Sequence, residues 1–340
     1  MKMLVTGGAG FIGSNFIRYI IKKYPDYKIV NLDLLTYAGN LENLSDIEEF
    51  YGEAAGALRR YYFVRGDIRD VNLVESIMPK VDAVVHFAAE SHVDRSIKDP
   101  QGFLTTNILG TQVLLEAARK HSIKKFLHIS TDEVYGSILN GYFKENDALL
   151  PNSPYSASKA SADLLVRAYF ETYKLPVLIT RTTNNYGPYQ YPEKFIPLFI
   201  TNLLEGRDVP LYGYGLNRRD WIHVEDNCAA LDLVLHQGQI GEIYNIGTQV
   251  NEMANIEIAS QIVYLLNEPP TRLKFVADRL GHDFRYGVDA AKIKALGWQP
   301  QYNIADGLKA TIEWYKNNQA WWKKIKSGEF KEYYEKNYQI

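Results

Sequence analysis

Leu4-Val-Thr-Gly-Gly-Ala-Gly-Phe-Ile-Gly13 is the stretch on which the fold turns. A short apolar strand, Lys2–Thr6, enters a turn with glycines at 7, 10 and 13, and a helical pattern, Ile12–Lys23, leaves it. Glycine permits the tight turn and lets backbone approach a pyrophosphate, which then meets the positive end of the helix. Glycines alone mark many turns that bind nothing. The strand before and the helix after make this one read as a dinucleotide cradle.

The rest of the first half alternates strand and helix. Lys28–Leu32, Tyr62–Val64, Ala83–Phe87 and Lys125–Ser130 read as buried strands, separated by helical stretches such as Asp70–Met78 and Phe103–Lys120. Such alternation builds βαβ units, whose right-handed crossovers give a doubly wound parallel sheet. Ser153-Pro154 opens a long helix to Tyr173, and Val177–Arg181 follows as a strand. Proline suits that first turn, because its missing N–H would have had no intrahelical partner. From Asn184 the alternation loosens over Lys194–Gly206, Val224–Gln237, Ile243–Ile246 and Ile256–Leu266. The expectation is an α/β chain with a Rossmann-type doubly wound parallel sheet over residues 1–183. A smaller C-terminal α/β substrate lobe is expected over 184–340, with segments interleaving between the two.

Asp33 ends the second strand, about twenty residues beyond Gly13. A carboxylate there accepts from the adenosine ribose hydroxyls and repels a 2′-phosphate, so NAD is expected over NADP. Asp67, after the third strand, reads nearly as well as a turn residue as it does as an adenine neighbour.

Tyr155-Ser-Ala-Ser-Lys159 lies at the start of the long helix, and its i, i+4 spacing puts both side chains on one face. A free tyrosine titrates near ~10 and is a poor base at neutral pH. A neighbouring ammonium, together with the positive nicotinamide, is expected to lower that value, so the phenol can take a hydroxyl proton while hydride leaves the same carbon. Ser130-Thr-Asp-Glu-Val-Tyr-Gly136 follows the fifth strand, at the carboxyl edge where α/β sites assemble. Asp132 and Glu133 offer an acid and a base that oxidation alone does not require. Spacing by itself does not separate that role from a solvated acidic turn.

Bulk properties narrow the partners. The 340 residues carry a formal net charge of −2, which gives no reason to expect nucleic acid or an anionic membrane. Cys228 is the single cysteine, set in apolar Asn227-Cys-Ala-Ala-Leu, so it reads as a packed helix position in a reducing compartment. No run is long and apolar enough for a membrane span, and the N-terminus lacks the pattern of a signal peptide. The cytoplasm is the expected location, and no metal site is expected.

These motifs, together with Ala88-Ala-Glu-Ser-His-Val-Asp-Arg-Ser96, Asn184-Asn-Tyr-Gly-Pro188, Arg219-Asp-Trp221 and Asp278-Arg-Leu-Gly-His-Asp283, resemble the extended class of the short-chain dehydrogenase/reductase superfamily. Within that class the chain is similar, essentially end to end, to the dTDP-glucose 4,6-dehydratases. The Asp-Glu dyad after Thr131 is the feature that sugar-nucleotide 4-epimerases, the alternative reading, usually lack. The resemblance implies an NAD-dependent lyase. In it Tyr155, supported by Lys159, takes the C4 hydroxyl proton beside Thr131, Glu133 removes the C5 proton and Asp132 protonates the leaving C6 hydroxyl. It also implies a cofactor site of Gly7, Gly10, Phe11, Ile12, Gly13, Asp33, Asp67, Ile68, Ala88, Thr106, Tyr155, Lys159 and Asn185. The sugar nucleotide would lie against Ser91, Thr131, Asn184, Lys194, Phe195, Pro210, Tyr212, Arg219, Asn255, Arg279, His282 and Tyr338. The two arginines suit a diphosphate, which a guanidinium binds as a fork. A homodimer is implied as well.

Overall fold

The computed structural model describes residues 1–278 and 281–327. Arg279 and Tyr338, two of the expected substrate residues, lie outside the described residues.

Six strands come first: β1 (Lys2–Thr6), β2 (Lys28–Asp33), β3 (Tyr61–Arg65), β4 (Ala83–His86), β5 (Lys125–Thr131) and β6 (Val177–Thr182). Six more follow: β7 (Asn184–Tyr186), β8 (Val209–Tyr212), β9 (Arg218–His223), β10 (Ile243–Ile246), β11 (Glu252–Ala254) and β12 (Leu273–Val276). The main sheet has the order β10-β6-β5-β4-β1-β2-β3, and every pairing in it is parallel. The strand order reverses beside β1, so the crevice for ligand opens at its carboxyl end, where the glycine turn begins.

Both faces of this sheet are covered, which is why its strands read as unbroken apolar runs rather than alternating ones. Along β1, Met3 and Val5 pack into one core with Phe16 and Ile20, while Leu4 faces a second core with Leu114 and Val166. The helix Val224–Gln237 shares the first core with the helix Phe11–Lys23, through Leu231 and Val234. Strand β10 and this helix thus bring the second half of the chain back into the Rossmann layer. Four further helices, Phe195–Leu204, Asn255–Leu265, Ile304–Asn317 and Gln319–Lys326, enclose a separate core that includes Phe199, Trp221, Ile258, Ile312 and Trp322. Among the described residues no helix is long and apolar enough to cross a membrane.

One predicted helix is not uniform. Phe103–Lys120 resolves into a wide π-helical stretch, Leu104–Gly110, followed by an α-helix, Thr111–Lys120. Its inward residue Asn107 ties three elements together. It donates to the Glu90 carbonyl at 3.0 Å and to Ser158 Oγ at 2.8 Å, and accepts from the Glu90 N–H at 2.8 Å. Side-chain demand of this kind does not show in hydrophobic periodicity.

The helix Pro154–Tyr173 begins with a capping box, in which the Ser156 N–H donates to Ser153 Oγ (3.1 Å) and the Ser153 N–H donates to Ser156 Oγ (3.0 Å). Two turns in, Asp163 is buried against the sheet. Arg181 Nε donates to it at 2.8 Å from β6, and His128 Nε2 lies 3.3 Å away on β5. Burial pushes the Asp163 carboxyl upward, but hydrogen bonding from His128 and the Arg181 charge outweigh this and hold it below the usual carboxylate range.

Asp163→Asn should therefore destabilise the fold by about 3–5 kcal/mol, because the Arg181 charge stays buried without its counter-ion. The parent's advantage is full above the ordinary aspartate range, near pH ~4, and shrinks as pH falls through the depressed value. Urea titrations of both proteins at neutral and acid pH check the magnitude and the sign; an equal gap at both pH values would contradict it.

Candidate active site

The glycine turn is built by close approach. Gly7 has φ +70°, and a Cβ there would lie 2.6 Å from the Ala88 nitrogen. A Cβ on Gly13 would lie 2.4 Å from the Gly7 carbonyl oxygen. Gly10 caps the helix Phe11–Lys23, whose first turn carries no acidic residue and so leaves its positive end open to an anion. Asp33, at the end of β2, accepts from the Leu35 N–H at 2.8 Å and the Ala9 N–H at 2.9 Å. Burial raises its carboxyl, and those two N–H groups oppose the shift.

Phe11, Ile12, Asp67, Ile68, Ala88, Thr106 and Asn185 line the same cleft. Asp67 is held by Arg69, whose Nε and Nη2 lie 2.9 and 2.6 Å from Oδ2. Arg69 and the loop residues Leu34, Thr36 and Ala38 also line the cleft and were missed in the sequence. The loop was findable, since it directly follows the carboxyl end of β2. The residues fit a dinucleotide: side chains would fill the glycine cradle, a carboxylate stands at the ribose end, and Asn185 Oδ1 is buried with no protein partner.

At the far end of the cleft, β5 delivers Thr131, Asp132 and Glu133, and the capped helix delivers Tyr155 and Lys159. The Thr131 hydroxyl donates to Asp132 Oδ1 at 3.2 Å, accepts from the Glu133 N–H at 3.3 Å and hydrogen-bonds the Tyr155 phenol. Asp132 is buried. Loss of solvation, then the neighbouring Glu133 charge, push its carboxyl well above the usual range. The shift favours its protonated form, the one able to donate a proton, which a solvated acidic turn would not do.

The expected effect of Lys159 on Tyr155 is not what this arrangement produces. Burial, then the charges of Glu133 and Asp132, raise the phenol rather than lower it. Lys159 Nζ donates to the Ile129 carbonyl at 2.7 Å, and burial pulls the ammonium down to about 8. Desolvation and two adjacent carboxyls outweigh one ammonium that is itself desolvated.

An adjoining cavity shares Ser91, Glu133, Asn184, Asn185 and Lys194 with the cleft and adds Phe195, Pro210, Tyr212, Arg219, Asn255 and His282. Lys194 Nζ donates to the Ser91 carbonyl at 3.2 Å, bridging the two lobes. Arg219 is buried, donates to the carbonyls of Arg218 (2.7 Å) and Asp283 (2.9 Å), and lies 4.2 Å over the Tyr286 ring. His282 Nδ1 is 2.6 Å from Asp278 Oδ1, and the Tyr212 hydroxyl donates to Asp94 at 3.4 Å. Tyr286 and Asp94 also line this cavity; Asp94 falls within the Ala88–Ser96 motif but was not singled out, and Tyr286 falls in no spacing that chemistry dictates.

Residues 4–311 match the model of a family described as GDP-mannose 4,6 dehydratase. The chain is 51% identical over 332 residues to a dTDP-glucose 4,6-dehydratase of Streptomyces niveus, covering 96% of each. It is 54% identical over 317 residues to the low-salt glycan biosynthesis protein Agl12 of Haloferax volcanii, covering 93% of this chain and 98% of that one. Among solved structures it is similar to DesIV, a dTDP-glucose 4,6-dehydratase of Streptomyces venezuelae with NAD and TYD bound. There the TM-score is 0.91 at 50% identity, covering 96% of this chain and all of that one. A glycine cradle, a Tyr/Lys helix and a buried Asp-Glu dyad in one cleft go with that likeness: the chain belongs to the dTDP-glucose 4,6-dehydratases of the extended short-chain dehydrogenase/reductase superfamily.

Proposed function

We infer that this protein is an NAD-dependent lyase that converts dTDP-glucose to dTDP-4-keto-6-deoxyglucose. The observation that carries the reading is the buried Asp132, its carboxyl pushed upward beside Glu133, in the cleft that holds Tyr155. A 4-epimerase has no use for such a pair, since it breaks no bond at C5 or C6.

NAD, when bound, supplies the acceptor for the C4 hydride and the donor that returns it to C6. Tyr155 takes the C4 hydroxyl proton as the phenolate, which would form once the positively charged nicotinamide is in place, with Thr131 bonded to its oxygen and Lys159, one helical turn along, supplying further positive charge. The C4 carbonyl acidifies the C5 proton, which Glu133 removes. Asp132 gives its proton to the C6 hydroxyl, and water leaves. Glu133 then returns its proton to C5, and the proton held by Tyr155 passes to solvent as Asp132 regains its own, so the net change is the loss of one water.

The cofactor lies along Gly7–Gly13 and Asp33, and the lobe formed by residues 184–340 holds the sugar nucleotide. Lys194 and Arg219 are described cations that suit its diphosphate; Pro210 and Tyr212 face the base. Exposed Leu104, Leu109 and Leu164, on the helical stretches near the catalytic face, support a homodimer. The single, buried Cys228 supports a cytoplasmic location.

Asp33→Ala should weaken NAD binding and relax selection against NADP, since the ribose partner and the repulsive charge go together. Titrating the variant with both nucleotides is the check, and unchanged selectivity would remove Asp33 from the ribose.

The pH profile follows from Lys159. With its ammonium pulled down to about 8, the positive charge is present below that pH and lost above it. kcat/KM should fall on the alkaline side from about 8, and Lys159→Met should lose both that limb and most of the rate. A profile flat to pH ~10, where an ordinary lysine titrates, would refute this.

The dyad can be separated from the oxidation. Tyr155→Phe should abolish transient NADH and product alike. Asp132→Asn should still oxidise C4 and exchange the C5 proton with deuterated water, while product formation falls by about 10²–10⁴. Glu133→Gln should oxidise C4 and lose the exchange. Rapid-mixing absorbance with mass analysis reads all three variants; parental product rates in both dyad variants would favour epimerisation.

A further inference from the structure

Ala9, in the middle of the glycine turn, is held at both ends. Its N–H donates to Asp33 Oδ2 at 2.9 Å. Its carbonyl accepts from Asn43 Nδ2 at 2.9 Å and from the Asn40 N–H at 3.0 Å. The Asn43 amide is buried, and its Oδ1 accepts from the Trp321 indole N–H at 2.9 Å. An indole N–H can only donate and a carbonyl oxygen can only accept, so the two neighbours fix the orientation of this amide.

Trp321 belongs to the helix Gln319–Lys326, at the far end of the described chain. Its ring meets Trp314 edge-on at 5.2 Å and Tyr189 at 5.9 Å. Arg18, on the helix that leaves the glycine turn, lies 4.7 Å over Tyr189 and donates to the Asn43 carbonyl and to Asp46. The C-terminal helix therefore closes on the cofactor turn through one buried amide, backed by aromatic packing.

We propose that Asn43 and Trp321 form a positioning clamp on the cofactor turn, so that the seating of the C-terminal helix sets how tightly NAD is retained. With both polar ends of the Ala9 peptide occupied, the turn between Gly7 and Gly13 keeps its receiving shape before the pyrophosphate arrives. Preorganisation of this kind lowers the cost of binding and appears mainly as slower release. Neither residue lines the catalytic cleft, so both act through the backbone of Ala9. The clamp rests on the assignment of NAD to the glycine turn and not on the dehydration chemistry.

The test follows NAD leaving the purified holoprotein, with added alcohol dehydrogenase and ethanol reducing each freed NAD to an absorbing product. Trp321→Phe keeps an aromatic ring and removes only the donor; Asn43→Ala removes the whole link. Each should speed release about three- to tenfold, the effect of one lost buried hydrogen bond. The double variant should release no faster than Asn43→Ala, because both residues belong to one chain of contacts. Release at the parental rate from Trp321→Phe would overturn the clamp even if Asn43→Ala folds poorly. Effects that multiply in the double variant would overturn it too. A parent that carries and binds no NAD would instead bring down the cofactor assignment on which the clamp rests.

Discussion

Asp163 accepts from Arg181 on β6 and from His128 and Ser130 on β5, and is itself two turns along the helix that carries Tyr155 and Lys159. Placing a carboxylate in an interior costs several kcal/mol unless donors compensate it. Here the donors come from two strands, so the compensation exists only when the helix sits in one register against the sheet. Tyr155, Lys159 and Asp163 are spaced i, i+4, i+8, so that register also fixes the phenol and the ammonium. Strand β5 runs from His128 and Ser130 directly into Thr131, Asp132 and Glu133. Both halves of the reacting centre are thus referenced to one buried charge.

Desolvation is the common cause of the charge states around it. The same burial that raises Asp132 and keeps its proton available also raises Tyr155 and lowers Lys159. A single low-dielectric pocket thereby holds an acid ready to donate and a phenol that resists ionisation until positive charge arrives. That combination suits a reaction in which oxidation at C4 must precede loss of the C6 hydroxyl. If Tyr155 were already ionised, its charge would add to that of the dyad in the same pocket.

The two cores are joined by polar contacts at their seam. Lys194 donates to the Ser91 carbonyl, Asn15 donates to the Pro188 carbonyl at 3.0 Å, and Trp321 reaches Asn43. Strand β10 and the helix Val224–Gln237 give the chain a second crossing of the same boundary. The cleft lies along this seam and is lined by residues from both halves of the chain.

What the sequence by itself determined was the part that local chemistry dictates. The glycines at 7, 10 and 13 could serve only a tight turn between strand and helix. Unbroken apolar runs could serve only a sheet covered on both faces, and the capped Pro154–Tyr173 helix carried its i, i+4 pair in plain view. Nearly every expected site residue among those described lines the cleft or the cavity beside it, because motif spacing reports which side chains leave strand ends together. Tertiary structure alone decided the charges and the company. That the Asp132 carboxyl is pushed upward and Lys159 faces a carbonyl follows from burial, which no spacing encodes. Arg69 and Tyr286 enter through loops, and Asp94 from the helix Val93–Lys98, brought together from distant parts of the chain. The π-helical turn at Asn107 and the reach of Trp321 to the glycine turn arise from contacts across the fold, where the partner of a polar group is chosen by packing and not by its neighbours in sequence.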